Sequence, residues 1–150
     1  MFTGIDHVAV LVPDIDEAIQ LYSRCFRVEF SFRERNEEQG FEVAVFKVGN
    51  ASFELLSPTR SDSVIAGMLK KRGPGIHHIG LEVDDVKDSM SALSESGLQL
   101  TSKEPKGGSE NSLVSFIHPK SLFGTMLELV EHPGKQKQKK NTNYSVKGKN

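Results

Sequence analysis

Two histidines and two glutamates occupy matching places in the two halves of this chain. Ile5-Asp6-His7-Val8-Ala9-Val10 returns as Ile76-His77-His78-Ile79-Gly80-Leu81, and Phe53-Glu54-Leu55-Leu56 returns as Leu127-Glu128-Leu129-Val130. Val12, Asp14, Ile15 and Ile19 reappear as Val83, Asp85, Val86 and Met90 at the offset that separates His7 from His78. A repeat of this kind governs how the rest of a sequence is read. Glu54 and Glu128 each sit inside a short apolar run, where a carboxylate is rarely buried without a partner. Two neutral imidazoles and two carboxylates balance the charge of one divalent ion. Mixed nitrogen and oxygen donors suit Co²⁺, Ni²⁺, Mn²⁺, Fe²⁺ or Zn²⁺, whereas a structural zinc site more often uses thiolates. A six-coordinate ion with four protein ligands keeps two adjacent positions for a chelating substrate. There it would act as a Lewis acid on a carbonyl and stabilise an enolate.

These four residues need strands to hold them, and the patterning supplies strands twice over. Ile5 to Val12 alternates at period two, with Val8, Val10 and Val12 on one face and His7 on the other. Asp14 caps a helix to about Phe26, with Glu17 three residues on as in a capping box. Strands follow at Val28–Arg35, Phe41–Val48 and Ala51–Leu56, separated by turns at Asn36–Gly40 and Gly49-Asn50. A connector, Ser57–Pro74, holds a short helix from about Asp62 to Lys71. The second half repeats the order: a strand at Ile76–Val83, then a helix from Asp85 to about Ser96, ended by Gly97. Strands at Gln99–Ser102, Leu113–Ile117 and Thr125–Glu131 complete it. Lys106–Ser109 reads as a loop and His118-Pro119-Lys120 as a turn. The expected fold is α+β: two tandem βαβββ modules, about 4–57 and 75–132 with connector 58–74, forming one domain over 1–134 with a curled, metal-containing sheet cleft.

Composition narrows the function classes. The 150 residues carry a formal net charge of -1, and no apolar run approaches the ~18 residues of a membrane helix. The N-terminus lacks the basic-then-apolar order of a signal peptide. Cys25, the only cysteine, cannot form an intrachain disulfide; it fits a reducing cytoplasm and is expected to be a small buried apolar residue. The segment 135–150 is lysine-rich with no acid, and reads as a solvated tail rather than part of a core. No nucleic-acid motif accompanies it.

The sequence resembles the vicinal oxygen chelate, or glyoxalase-fold, superfamily over about residues 4 to 132, and within it the methylmalonyl-CoA epimerases. The resemblance rests on Ile5-Asp6-His7-Val8-Ala9, Glu38-Gln39-Gly40, Glu54-Leu55-Leu56-Ser57-Pro58, His77-His78-Ile79, Glu82-Val83-Asp84-Asp85, and Phe116-Ile117-His118-Pro119-Lys120-Ser121 leading to Gly124 and Leu127-Glu128-Leu129. It implies that His7, Glu54, His78 and Glu128 hold one divalent ion (Co, Zn, Ni or Mn). It implies an acyl-CoA substrate that chelates the ion and is epimerised at C2 by α-proton abstraction through an enolate. It also implies a homodimer.

Glu128 is then one acid/base. The resemblance places the other on the middle strand of the first module, where this chain has Val43, with Glu42 one residue away. A one-residue offset turns a side chain to the opposite face, so Glu42 competes with a solvent-facing reading, and with Glu128 or a metal-bound water acting alone. Ser112-Leu113 and Phe123 also depart from the family pattern near the expected acyl-CoA entrance. Lys106 and Lys120, and less so Lys103, are the candidate cations for CoA phosphates. His77 is expected to face away from His78, His118 to serve the turn, and His132 to be exposed. A glyoxalase I-type lyase or isomerase on a thiol hemithioacetal, and a non-catalytic binding or resistance protein, are the alternatives. An extradiol dioxygenase fits less well, because it would leave Glu54 unused.

Overall fold

The two helices that follow the leading strands start by the same device, which is why the repeat survives folding. In the computed structural model, which describes residues 2–134, Asp14 accepts a hydrogen bond from the Glu17 N–H at 2.9 Å and Asp85 accepts one from the Asp88 N–H at 2.9 Å. These caps launch α1 (Ile15–Phe26) and α3 (Val86–Glu95). The connector helix α2 (Val64–Arg72) is capped by Ser63 through the Ala66 N–H. The strands are β1 (Phe2–Leu11), β2 (Glu29–Asn36), β3 (Phe41–Val48), β4 (Ala51–Pro58), β5 (Gly75–Val83), β6 (Lys106–Gly107), β7 (Leu113–Ile117) and β8 (Leu127–Glu131). Short 3-10 turns cover Ser109–Asn111 and Pro119–Ser121.

All eight strands form one curled sheet in the order β2-β3-β4-β1-β5-β8-β7-β6. β1 runs parallel to β4, and β5 parallel to β8, so each half closes on its own leading strand. The halves join where β1 and β5 pair antiparallel. Alternation then sorts the side chains. Ala44, Phe46 and Leu55 pack under Ile15 and Ala18 of α1, and Ile117 and Leu129 pack with Val86, Met90 and Leu93 of α3. The opposite face carries Ala9, Leu11, Val43, Val45 and Leu56, covered in part by Ile65 of α2. Full burial of a side chain such as Phe46 or Leu55 contributes roughly 1.5–3 kcal/mol.

The second module departs from expectation at its edge. The segment Gln99–Ser102 is not a strand: Leu100 forms one isolated bridge to Ile117, and Thr101 and His118 make the flanking backbone bonds. Pro105, which offers no N–H, separates it from the two-residue edge strand β6, which falls in the expected loop. Cys25 is exposed rather than buried, because it lies on the outer side of α1. The lysine-rich tail, residues 135–150, lies outside the described residues. Among the described residues, no helix is long and apolar enough to cross a membrane.

Glu42 points to the α1 side of the sheet, away from Val43, and is neither solvent-facing nor in the cleft. It is buried and accepts from Arg33 Nε at 2.9 Å, with Nη2 at 2.8 Å, while Arg33 Nη1 reaches Asp16 of α1 at 2.7 Å. Its role is to pin α1 to the edge of the sheet. Because Arg33 is about a third exposed, the pair is discounted for solvent screening. Replacing Glu42 with Ala should then cost about 1–2 kcal/mol, read as a lower urea midpoint with an unchanged slope. A loss below a few tenths of a kcal/mol would contradict that role.

Candidate metal centre

Sheet register carries the four repeated residues to one place. Glu54 on β4 stands opposite Ala9 on β1, and Ala9 stands opposite His78 on β5. Two pairs along, and so on the same face, His7 stands opposite Gly80, and Gly80 opposite Glu128 on β8. Directly opposed residues share a face, so both rows present a carboxylate, a small residue and an imidazole to the cleft. The small residues leave room for the rings. A Cβ on Gly80 would overlap the His7 imidazole.

The seam between β1 and β5 has three register shifts, and the two beside the repeated histidines fall one in each leading strand. Ile5 pairs with Leu81 and His7 with Gly80, so β1 has two residues where β5 has one, and Asp6 is the extra residue. Ala9 pairs with His78 and Val10 with Ile76, which makes His77 the extra residue of β5. Asp6 and His77 are equivalent in the repeat. Each bulge turns its extra residue toward the neighbouring histidine. His77 therefore does not face away from His78: the two Nδ1 atoms are 2.7 Å apart, and His77 Nε2 is 3.2 Å from Met68 Sδ. Asp6 Oδ2 lies 2.9 Å from His7 Nδ1, and His132 Nε2 lies 2.6 Å from Asp6 Oδ1. His132 is thus partly buried on Asp6 rather than exposed. Strict period-two reading hid these residues, and nothing in the sequence marks where a strand bulges.

Three donor atoms converge. His7 Nε2 is 2.8 Å from His78 Nε2, and Glu128 Oε2 is 2.9 Å from the first and 3.1 Å from the second. The residues are 4, 5 and 6% exposed, so water does not satisfy them. Metal–donor bonds of about 2.1 Å meeting at right angles would separate neighbouring donors by about 3.0 Å. The observed spacings match that edge length, so the donor set fits a divalent ion. Glu54 stands beside the three, its Oε1 3.8 Å from His7 Nδ1. Phe116 packs edge-on against His78, ring centroids 5.2 Å apart, and fixes that imidazole from the β7 side.

The electrostatics call for positive charge. Burial opposes charge on His7, but hydrogen bonds to Asp6 and Glu128 and the charges of Glu54 and Glu128 push its pKa up to about 10. Glu128, despite burial, is held down at about 2 by its bonds to His7 and His78. Burial raises Glu54, against the pull of His7. Asp6 resists its own burial and lies well below the carboxylate range because His132 and His7 bond to it. Burial, His78 and Arg72 push His77 down to about 4, which keeps it neutral.

The cluster opens into a cavity of about 720 Å³, within the range of small-molecule sites. Val43, Glu34, Arg60, Met68, Lys106 and Ser112 are among its lining residues. Glu42, Lys103 and Lys120 are not. The Lys120 N–H bonds His118 Nδ1, which serves the turn. Phe123 is fully exposed beyond the cavity lining. Arg60, which donates to the Glu37 carbonyl at 3.0 Å and to Asp62 at 3.1 Å, is a cavity cation that sequence reading missed.

Residues 6–116 match the Glyoxalase/Bleomycin resistance protein/Dioxygenase superfamily. The mitochondrial methylmalonyl-CoA epimerase of Bos taurus is 37% identical over 126 residues, covering 83% of this chain and 72% of that protein. The ethylmalonyl-CoA/methylmalonyl-CoA epimerase of Cereibacter sphaeroides is 37% identical over 131 residues, 86% of this chain and 98% of that protein. The solved structure of Streptomyces coelicolor methylmalonyl-CoA epimerase in complex with 2-nitronate-propionyl-CoA superposes with a TM-score of 0.85 at 34% identity, over 89% of this chain and 99% of that one.

Two outcomes follow from the geometry. In chelator-treated protein, His7, raised from 6.5 to about 10, contributes stability fully present below pH 6.5 and lost as pH rises through about 10. Glu128, lowered from 4.5 to about 2, contributes stability present above pH 4.5 and lost as pH falls through about 2. The melting temperature of that form should therefore fall between pH 6.5 and 10, and added Zn²⁺ or Co²⁺ should restore it increasingly as pH rises. A flat alkaline limb would contradict the assignment. Gly80→Ala should displace the His7 ring and weaken metal binding at least tenfold in a chelator competition.

Proposed function

The chain belongs to the Glyoxalase/Bleomycin resistance protein/Dioxygenase superfamily, and from that premise we propose that it catalyses the metal-dependent epimerisation of methylmalonyl-CoA at C2. The observation that carries this reading is the buried donor cluster His7, His78 and Glu128, with Glu54 beside it, at the floor of an acyl-sized cavity. The relatives named epimerases cover most of the chain.

In this reading His7, Glu54, His78 and Glu128 hold one divalent ion. When bound, the ion supplies Lewis acidity toward the substrate's carboxylate and thioester oxygens and lowers the cost of enolate charge. Glu128 takes the C2 proton; both of its imidazole contacts fall on Oε2. Epimerisation also requires a proton carrier for the other face of C2. Glu42 faces α1, and Val43 carries no proton. Glu34 pairs directly with Val43 across β2 and β3 and lines the cavity, so it is the candidate for that role. Arg60 and Lys106, on the cavity wall, suit the phosphates of CoA; Lys120 would need to act from outside it. We propose a homodimer, since open sheet edges need cover, and a cytoplasmic enzyme, in keeping with the lone thiol of Cys25.

Metal-loaded protein in deuterated water should exchange the C2 hydrogen of methylmalonyl-CoA. Glu128→Gln should slow that exchange about 100-fold or more, Glu34→Gln should slow epimerisation equally in both directions while sparing exchange at the face served by Glu128, and Glu42→Gln should leave exchange and epimerisation near wild type. Absence of exchange by the loaded protein, or faster turnover of methylglyoxal hemithioacetal, would sink the proposal.

A further inference from the structure

We infer that Asp6 and His77, the equivalent bulge residues of the two modules, are positioning residues that fix the tautomer of each ligand imidazole, and that His132 holds Asp6 in place. The inference rests on the metal reading above, but concerns residues outside the ligand set. A histidine that ligates through Nε2 must carry its proton on Nδ1, and that N–H needs an acceptor. His7 Nδ1 has one in Asp6 Oδ2 at 2.9 Å. The other oxygen of Asp6 is taken by His132 Nε2 at 2.6 Å, from the segment that leaves β8. The carboxylate is therefore gripped at both ends and cannot swing into the cleft.

The second module solves the same problem with different chemistry. His78 Nδ1 faces His77 Nδ1 at 2.7 Å. One of the two must donate, and ligation through His78 Nε2 makes it His78. His77 is then protonated on Nε2, and that N–H faces Met68 Sδ at 3.2 Å, a weak acceptor on α2. The chain of donation runs from His78 to His77 to Met68 and involves no anion. The two ligand imidazoles, related by the repeat, are consequently unequal: His7 is backed by a carboxylate and is the stronger donor, whereas His78 is backed by a neutral ring.

The test uses purified full-length protein, with Zn²⁺ as the probe ion and a chromophoric chelator as competitor. Asp6→Asn keeps an acceptor oxygen but removes the charge, and Zn²⁺ affinity should fall about 10–100-fold. His77→Phe removes the acceptor and should produce a smaller loss, which His77→Gln should partly recover. His132→Ala, two bonds from the ligand, should lower affinity several-fold. Long-range proton–nitrogen spectra of the Zn²⁺-loaded protein should show His7 and His78 protonated on Nδ1, and His77 on Nε2. Should Asp6→Asn and His77→Phe bind Zn²⁺ as tightly as wild type, or lose only thermal stability, the two residues are structural and the inference falls. A proton on His77 Nδ1 would also overturn it. Wild-type protein that bound no Zn²⁺ would instead remove the metal reading itself, and the inference with it.

Discussion

The antiparallel pairing of β1 with β5 is the contact on which the rest depends. Each half alone offers one imidazole and one carboxylate, which is not enough to hold an ion. Joining the halves along their leading strands sets His7 beside Gly80 and His78 beside Ala9, so the two rings approach from opposite strands at 2.8 Å. A slip of one residue along this seam would put the two rings on opposite faces of the sheet. The apolar residues that resist such a slip, Ala9 and Leu11 inside and Val83 under α3, flank the site on the same two strands.

Most of the architecture was legible because it is written twice. Period-two alternation, matched Asp caps and the apolar stripe of α1 each recur at a constant offset, and the offset itself implies a two-module sheet. Three elements were not legible, for separate reasons. The edge strand β6 is two residues long and glycine-bearing, so it has no pattern to read. The partners of Glu42 lie on β2 and α1, elements whose contact is settled only in three dimensions. The bulges at Asp6 and His77 leave the local sequence unchanged while altering which face a residue meets. As a result the gathering of His7, His78 and Glu128 was visible from the repeat, but the contacts of Asp6 and His77 with the two imidazoles were not.

The electrostatic arrangement suits the cluster to a cation, whereas the fold rests on apolar packing. Three apolar cores, two under the outer helices and one in the cleft, hold the sheet without help from the site. Inside the cleft the balance differs. Asp6, Glu54 and Glu128 face one another across two imidazoles, and His7, against its burial, retains a proton to about 10 because it bonds Asp6 and Glu128 and faces the charges of Glu54 and Glu128. A divalent ion would replace that proton and also satisfy both Nε2 atoms, which a single shared proton cannot do.

Glu54 distinguishes among the chemistries such a site can support. Two histidines and one carboxylate are the facial set of non-haem iron oxygenases, and His7, His78 and Glu128 alone would satisfy it. A further buried carboxylate would be a liability there, since it raises the negative charge around the ion without a stated use. The charges acting on Glu54 are those of His7, His78, Glu128 and Asp6, with no lysine or arginine among them. Burial raises its pKa, and the charge of a divalent ion beside the imidazoles would offset that burial. Glu54, Glu128 and a divalent ion would together form a neutral centre, which an acyl carboxylate could approach without repulsion. In the proposed epimerase reading, proton transfer on an acyl group would use that neutrality, whereas oxygen activation would gain nothing from a fourth donor.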